Sequence, residues 1–520
     1  MNNYNSKIIR ISSIVALGGF LMGFDASVIS GVIKFIEPEF GLSKLEVGWA
    51  VSCLTLTATI AMLIAGPLSD RYGRKKVLSM AAVVYAVSAI MSAVSPTFTF
   101  LIIARMIGGF GVGASLIVAP MYIAEIAPPK IRGTMVSFNQ LNIVIGISVA
   151  FFTNYLILQW GKADYAWANT LMINKFNWRW MLGLELIPAI LYFGALILVP
   201  RSPRWLVMKG NINEAKESLK KAGDNQNIEK EVEAISLSLK NASDKREVKL
   251  KEIFSPALRA VLVIGIVLAV LQQLTGINSV FFYAPMIFEL SGFGVDASFS
   301  QAILVGLTNL LFTILAMSLI DKIGRKLLLT IGVTGIAVSM FVLAYGFNSA
   351  SYTVTDEIIV GYNNNSQLIG LDELKNVEFL DDIKFQLALQ ETIGKENAEK
   401  YETELVSKAI SLNSSLILAA ILTFVASFAV SIGPVMWVMF SELFPNAVRA
   451  VAISFVGFVN SVVSFIVQLI FPWELSNLGT SSTFLIYGLF AAFGLIFIIA
   501  KVPETKGKTL EELELILSNK

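Results

Sequence analysis

A chain of 520 residues could hold several soluble domains, but 55% hydrophobic residues, 35 Phe and a mean hydropathy of +0.70 exclude that. Charged residues make up 15% and the net charge is +2, so the balance of charge is uninformative and nucleic acid is not an expected partner. The chain has no His and one Cys, Cys53, which rules out an internal disulfide, the usual metal sites and histidine acid–base chemistry; no cofactor is expected.

In chain order, twelve apolar windows are long enough for a ~30 Å hydrocarbon layer, which takes about 20 helical residues. They are 8–33, 46–69, 77–95, 99–124, 134–159, 180–200, 258–290, 299–320, 327–346, 412–440, 447–472 and 482–502. The first run is too long for a signal peptide and lacks a small-x-small cleavage site. Two polar stretches interrupt the pattern. Residues 201–259 are rich in Lys and Arg and amphipathic, as in "NINEAKESLKKAG"; residues 348–411 hold 12 Asp/Glu against 5 Lys/Arg. Because cytoplasmic loops carry the basic excess, 201–259 is expected inside and 348–411 outside, with both termini cytoplasmic. The helical periodicity of 348–411 reads as a small helical cap, with a disordered loop as the alternative.

The sequence repeats itself. "DRYGRKK" at 70–76 returns as "DKIGRKL" at 321–327, 251 positions later, and "PMYIAEIAPPKIRG" at 120–133 is echoed by "VMFSELFPNAVRA" at 438–450. Glu125 and Arg132 stand seven apart, as do Glu442 and Arg449, and this second pair of motifs is separated by 317. The difference of 66 is close to the length of 348–411, as it would be in two homologous six-helix halves with one insertion in the second. The pattern implies an all-α membrane protein of the secondary-transporter type, its ligand site at the midplane. The boundaries would be 8–200 for the first bundle, 201–257 for a cytoplasmic helical linker, 258–502 for the second bundle and 503–520 for a closing helix. Asp70 ends one span and Arg74 begins the next where acidic partners can reach it, as Asp321 and Arg325 do in the second half. An ion-pair layer between the halves on the inner face would hold that side shut and break when the inner gate opens. The plainer alternative is that these basic residues only set orientation.

Eight motifs in order, from "DRYGRKK" and "RMIGGFGVG" through "PRSPRWL", "QQLTGINSVFFYAP" and "GPVMWVMFSELFPNAVRA" to "PETKGKTLEELE", resemble the sugar porter family of the major facilitator superfamily. The likeness runs from residue 8 to about 514, mainly leaving out 348–411. It implies twelve transmembrane helices, monosaccharide transport by alternating access, and a gating network that includes Glu125, Arg132, Glu442, Arg449 and Glu504.

Charged and amide groups within spans cost free energy and usually face a cavity. Asp25 is the only acid well inside the first span, and Arg105 is the cation to offset it. The resemblance implies that Asp25 carries the proton and Arg105 controls it: a nearby guanidinium favours the ionised carboxyl, and its withdrawal favours the protonated form. A static ion pair is the alternative, and passive facilitators of the family carry Asn here. In the seventh window Gln272, Gln273 and Asn278 lie among apolar residues; Gln272, Ser279 and Tyr283 would share one helical face, and Gly276 and Pro285 would bend it. With Gln140, Asn309, Asn460 and the flat ring of Trp437, the set suits a neutral, hydroxyl-rich ligand, because amides both donate and accept. Each amide alone could instead be helix–helix glue. The resemblance carries sugar contacts onto Gln140, Gln272, Gln273, Asn278, Asn309 and Trp437. Ile147 and Asn460 stand where xylose symporters carry Gln and match glucose facilitators; Ser461 replaces a Trp, and Arg201 replaces the Glu of "PESPRWL".

The expected function is proton–monosaccharide symport, for a hexose such as glucose. Passive facilitation, or transport of xylose, inositol or another polyol, is the alternative, and a transporter-like sensor is a remote one, since only a family-type closing helix follows the last span. An enzyme is not expected. The expected setting is the cytoplasmic membrane, with a single chain among lipids as the working unit.

Overall fold

Twelve helices long and apolar enough to cross a membrane appear among the described residues of the computed structural model. The structure describes residues 3–128, 131–223, 228–243, 250–362, 368, 370–445 and 448–506. The spans are Ser6–Phe40, Lys44–Tyr72, Arg74–Ala93, Phe98–Ile126, Arg132–Lys162 and Asn177–Ile197, then Arg259–Phe282, Val295–Ile320, Arg325–Asn348, Ser414–Leu443, Arg449–Leu478 and Thr480–Lys501, numbered 1 to 12 below. Each falls on one expected window. Most run a few residues past the apolar stretch, because a helix satisfies its own backbone groups beyond the hydrocarbon as well as within it.

Contacts divide the chain into two compact units. The first holds Met1–Val28, Cys53–Ala150 and Phe176–Lys249. Its spans pack backbone to backbone through the glycines of "RMIGGFGVG": a Cβ on Gly109 or Gly113 would sit 2.5 Å from the Leu54 carbonyl oxygen and 2.3 Å from that of Ala58. Without water to drive association, such small-residue seams let van der Waals contact hold helices together. Linker helices Pro203–Met208, Ile212–Ala222 and Ile228–Ser243 close over their own core of Leu206, Leu219 and Val232.

The second unit holds Ile29–Ser52, Phe151–Lys175 and Leu250–Lys520. The ends of spans 1, 2 and 5 therefore pack with spans 7 to 12. Trp49 meets Phe465 edge-on at 5.9 Å, a Cβ on Gly48 would sit 1.9 Å from the Leu469 carbonyl oxygen, Lys162 pairs with Asp296 at 2.6 Å, and Lys34 pairs with Glu289. These contacts close the end of the second unit remote from its own Gly324 turn.

Residues 351–411 form a cap that is not purely helical. Strands β1 (Ser351–Thr353), β2 (Glu378–Phe379) and β3 (Ile410–Ser411) make an antiparallel sheet in the order β2-β1-β3, with Tyr352 opposite Phe379 and Ile410. Helices Asp356–Tyr362, Asp382–Ile393 and Lys395–Ala409 complete it, and Tyr352 stacks on Phe385 at 5.4 Å. Strands of two or three residues leave no readable alternation, so the sequence showed only the helices. The Asp382 carboxylate accepts from the Thr480 amide at 2.7 Å, fastening the cap to the start of span 12.

Candidate functional site

In the first unit Asp25 and Arg105 meet at 3.5 Å, their side chains 2% and 1% exposed. Span 4 comes close enough only because residue 108 is Gly: a Cβ there would lie 2.8 Å from Asp25 Oδ2. That oxygen has no hydrogen-bond partner among the described residues. Sequence reasoning missed a second acid. Glu185 sits where span 6 breaks between Asn177–Gly183 and Leu186–Ile197; it is 2% exposed and lies within the fields of both Asp25 and Arg105. The available signal was an acid inside an apolar window, "MLGLELIPAI". The interior of this unit therefore holds two carboxyl groups around one guanidinium, where one had been expected. Cys53 lies against Arg105.

In the second unit four of the expected amides, Gln272, Gln273, Asn278 and Asn460, form one network. Span 7 stops at Leu274, turns through Gly276 at φ +83° and restarts as Ile277–Phe282 and Ala284–Leu290, with Pro285 at the last start. The continuous helical face assumed for Gln272, Ser279 and Tyr283 is therefore interrupted. Gln272 donates to the carbonyls of Ile432 and Gly433, just past the break of span 10 at Ser431. Asn460 donates to Gln272 Oε1 at 2.8 Å and to the Ala269 carbonyl, and accepts from Gln273 at 3.1 Å. Asn278 donates to Gln273 Oε1 and to Ser464, each at 2.7 Å. Trp437, 43% exposed, lies against Gly457, one turn from Asn460. Tyr283 is fully buried with its hydroxyl committed to the Gln468 carbonyl at 2.8 Å, and Ser279 faces the Tyr487 hydroxyl at 3.4 Å. Asn309 is buried in span 8 and makes no hydrogen bond to this network among the described residues. Gln140 belongs to the first unit, exposed on span 5.

The repeated motifs build matching charge clusters. Arg74 grips Glu125 at 2.9–3.0 Å and Asp70 at 2.8 Å; Arg325 grips Glu442 at 2.9 Å. Gly73 and Gly324, at φ +92° and +104°, make the turns that aim these arginines. Arg132 and Arg449 do not pair with the acids seven residues before them; they cap the carbonyls of Ala127 and Phe444. Glu504 accepts from the amides of Arg325, Lys326 and Lys506 at 2.9–3.1 Å. Burial alone would raise its pKa, but the amides of Lys506, Arg325, Lys326 and Thr505 together outweigh that and hold it below the ordinary glutamate value. The Asp321 side chain and residues 507–520 lie outside the described residues.

The profile of the family described as Sugar (and other) transporter matches residues 11–361 and 401–517. The arabinose-proton symporter of Bacillus subtilis is 34% identical over 507 residues, covering 98% of this chain and 94% of that protein. The D-xylose-proton symporter of Escherichia coli is 34% identical over 545 residues, covering 98% and 96%, and the glucose transporter GlcP of Staphylococcus epidermidis 32% over 499, covering 96% and 95%. Among solved structures, the inward open conformation of the xylose transporter XylE from E. coli superposes with a TM-score of 0.74 at 31% identity, covering 98% of this chain and 99% of that one.

Proposed function

This chain belongs to the sugar (and other) transporter family, a family of multi-pass membrane transport proteins and not of enzymes, and on that premise we propose that it carries a neutral monosaccharide together with a proton by alternating access. The observation that carries the coupling is the buried Asp25–Arg105 pair. Two charges out of water need each other, and neutralising one releases its partner. A proton on Asp25 frees Arg105 to turn to Glu185, and its loss draws Arg105 back; that exchange is the coupling step. The sugar is held by Gln140, Gln272, Gln273, Asn278, Asn309 and Asn460, with Trp437 against its C–H face. Tyr283, its hydroxyl already engaged, positions span 7.

The relatives above are named for arabinose, xylose and glucose, which supports a pentose or a hexose over inositol or another polyol. Ile147 and Asn460, which resemble glucose facilitators, favour the hexose. The halves 8–200 and 258–502 rock about the site, each braced on the cytoplasmic side by its own charge cluster, whose described ion pairs lie within one half and not between the two. The setting is the bacterial cytoplasmic membrane, with both termini and the basic linker inside and a single chain as the working unit.

Proteoliposomes with an inward proton gradient should concentrate labelled glucose. Asp25→Asn should abolish accumulation while sugar exchange persists. A wild type that equilibrates sugar without concentrating it is a passive facilitator, and the coupling reading fails. Competition by glucose, galactose, xylose and inositol identifies the sugar.

A further inference from the structure

The two halves build the same charge cluster from equivalent atoms, with one exception. Ser202 and Thr505 donate to Glu125 and Glu442; Arg74 and Arg325 turn an N–H back on the carbonyls of Ser69 and Ile320; Lys75 and Lys326 reach the carbonyls of Ile197 and Ile499. The residue just before the hydroxyl is Glu504 in the second half and Arg201 in the first. In the second half that carboxylate closes the start of span 9, accepting from Arg325 N at 3.0 Å and Lys326 N at 3.1 Å. At the start of span 3, Gly73 provides no side-chain cap, and Arg201, on the cavity wall, reaches Glu214 at 2.9 Å through one terminal nitrogen.

A cavity of about 500 Å³ opens there, lined by Arg71, Arg74, Lys75, Lys76 and Arg201, with Trp205 as one wall. Lys221 adds its field to that of Arg201 on Lys75. The nearby carboxylates are already engaged: Asp70 and Glu125 with Arg74, and Glu214 with Arg201. Five cations thus line the cavity, with Lys221 near Lys75, against the three carboxylates of Asp70, Glu125 and Glu214. That leaves an excess of positive charge around the place where the repeat holds an anion.

We infer that this cavity binds a phosphate-type oxyanion in the position that the Glu504 carboxylate occupies in the other half. Guanidinium and ammonium groups give such an anion short, charge-assisted hydrogen bonds, and the planar fork of Arg201 suits two of its oxygens. The anion arrives either as free phosphate or phosphate ester, or as the headgroup of an anionic lipid.

The test uses the full-length protein in phosphatidylcholine nanodiscs. Inorganic phosphate should raise the melting midpoint of the wild type saturably, since a ligand of the folded state stabilises it by mass action. Arg201→Glu, which supplies its own carboxylate, should lose the response, and Arg201→Gln should lose it without that substitute, so that a folding defect in one variant leaves the other to decide. If phosphate is inert but discs containing phosphatidylglycerol raise the midpoint of the wild type and of neither variant, the ligand is the lipid headgroup. Identical responses of all three proteins to both probes, or no response of the wild type to either, overturns the assignment.

Discussion

Asp25, Arg105 and Glu185 come from spans 1, 4 and 6, and none is adjacent in sequence to another. An isolated charge at a helix centre costs about 2.5–3.5 kcal/mol on insertion scales, so two acids around one guanidinium must share its compensation. If Glu185 takes up Arg105 when Asp25 is neutral, Glu185→Gln should change the pH profile of uptake while sugar exchange continues. A profile identical to wild type would confine Glu185 to packing. Asp25 and Arg105 were legible because Asp25 is the only acid in the first window and Arg105 the only charge in the fourth. Glu185 is the only charge in its window too, and Pro188 marks the break beside it, but which charges it meets depends on how spans 1, 4 and 6 pack.

Elements differ in how much they owe to their own residues. The turns at Gly73 and Gly324 follow directly from the motif, because positive φ costs glycine no Cβ clash. The broken spans 7 and 10 depend on each other: Gln272 satisfies carbonyls at the start of the second segment of span 10, and the Gly276 turn has room only against the Tyr487 ring, 2.4 Å from where a Cβ would stand. The start of span 9 depends on Glu504. Its pKa is held below the usual value, so its contribution is complete above the unfolded glutamate pKa of about 4.3 and disappears as pH falls through the folded value. The melting midpoint of wild type should therefore exceed that of Glu504→Gln near neutral pH, with the gap closing in acid. A gap independent of pH would mean that the amide–carboxylate bonds contribute nothing.

At the scale of the molecule, the cap and the ends of spans 1 and 2 are tied together within the second unit. Lys44, its side chain 14% exposed, bridges Glu37 at 2.9 Å and Glu402 of the cap at 2.8 Å. Removing one partner of a largely buried ion pair strands the other charge, so Lys44→Ala should loosen this closed end. Thiol labelling of a cysteine placed at the buried Val47, in a Cys53→Ser background, should then speed up. Unchanged labelling would make the bridge a passive ornament of the cap, and the closure would rest on the Trp49–Phe465, Gly48, Lys162–Asp296 and Lys34–Glu289 contacts.

The sequence by itself determined the twelve spans, the internal repeat, the glycine turns and the chemistry of the interior amides. Those follow from run length, spacing and residue type, which a chain carries locally. Only the tertiary structure decided that Glu185 joins Asp25 and Arg105, which amide satisfies which, that spans 1, 2 and 5 end in a different unit from the one in which they begin, and that the acidic insertion pairs three short strands. The physical reason is separation along the chain. Asp25 and Arg105 stand 80 residues apart, and Gln273 and Asn460 stand 187 apart. Such partners are chosen by how whole helices pack, and no window of neighbouring residues contains that information.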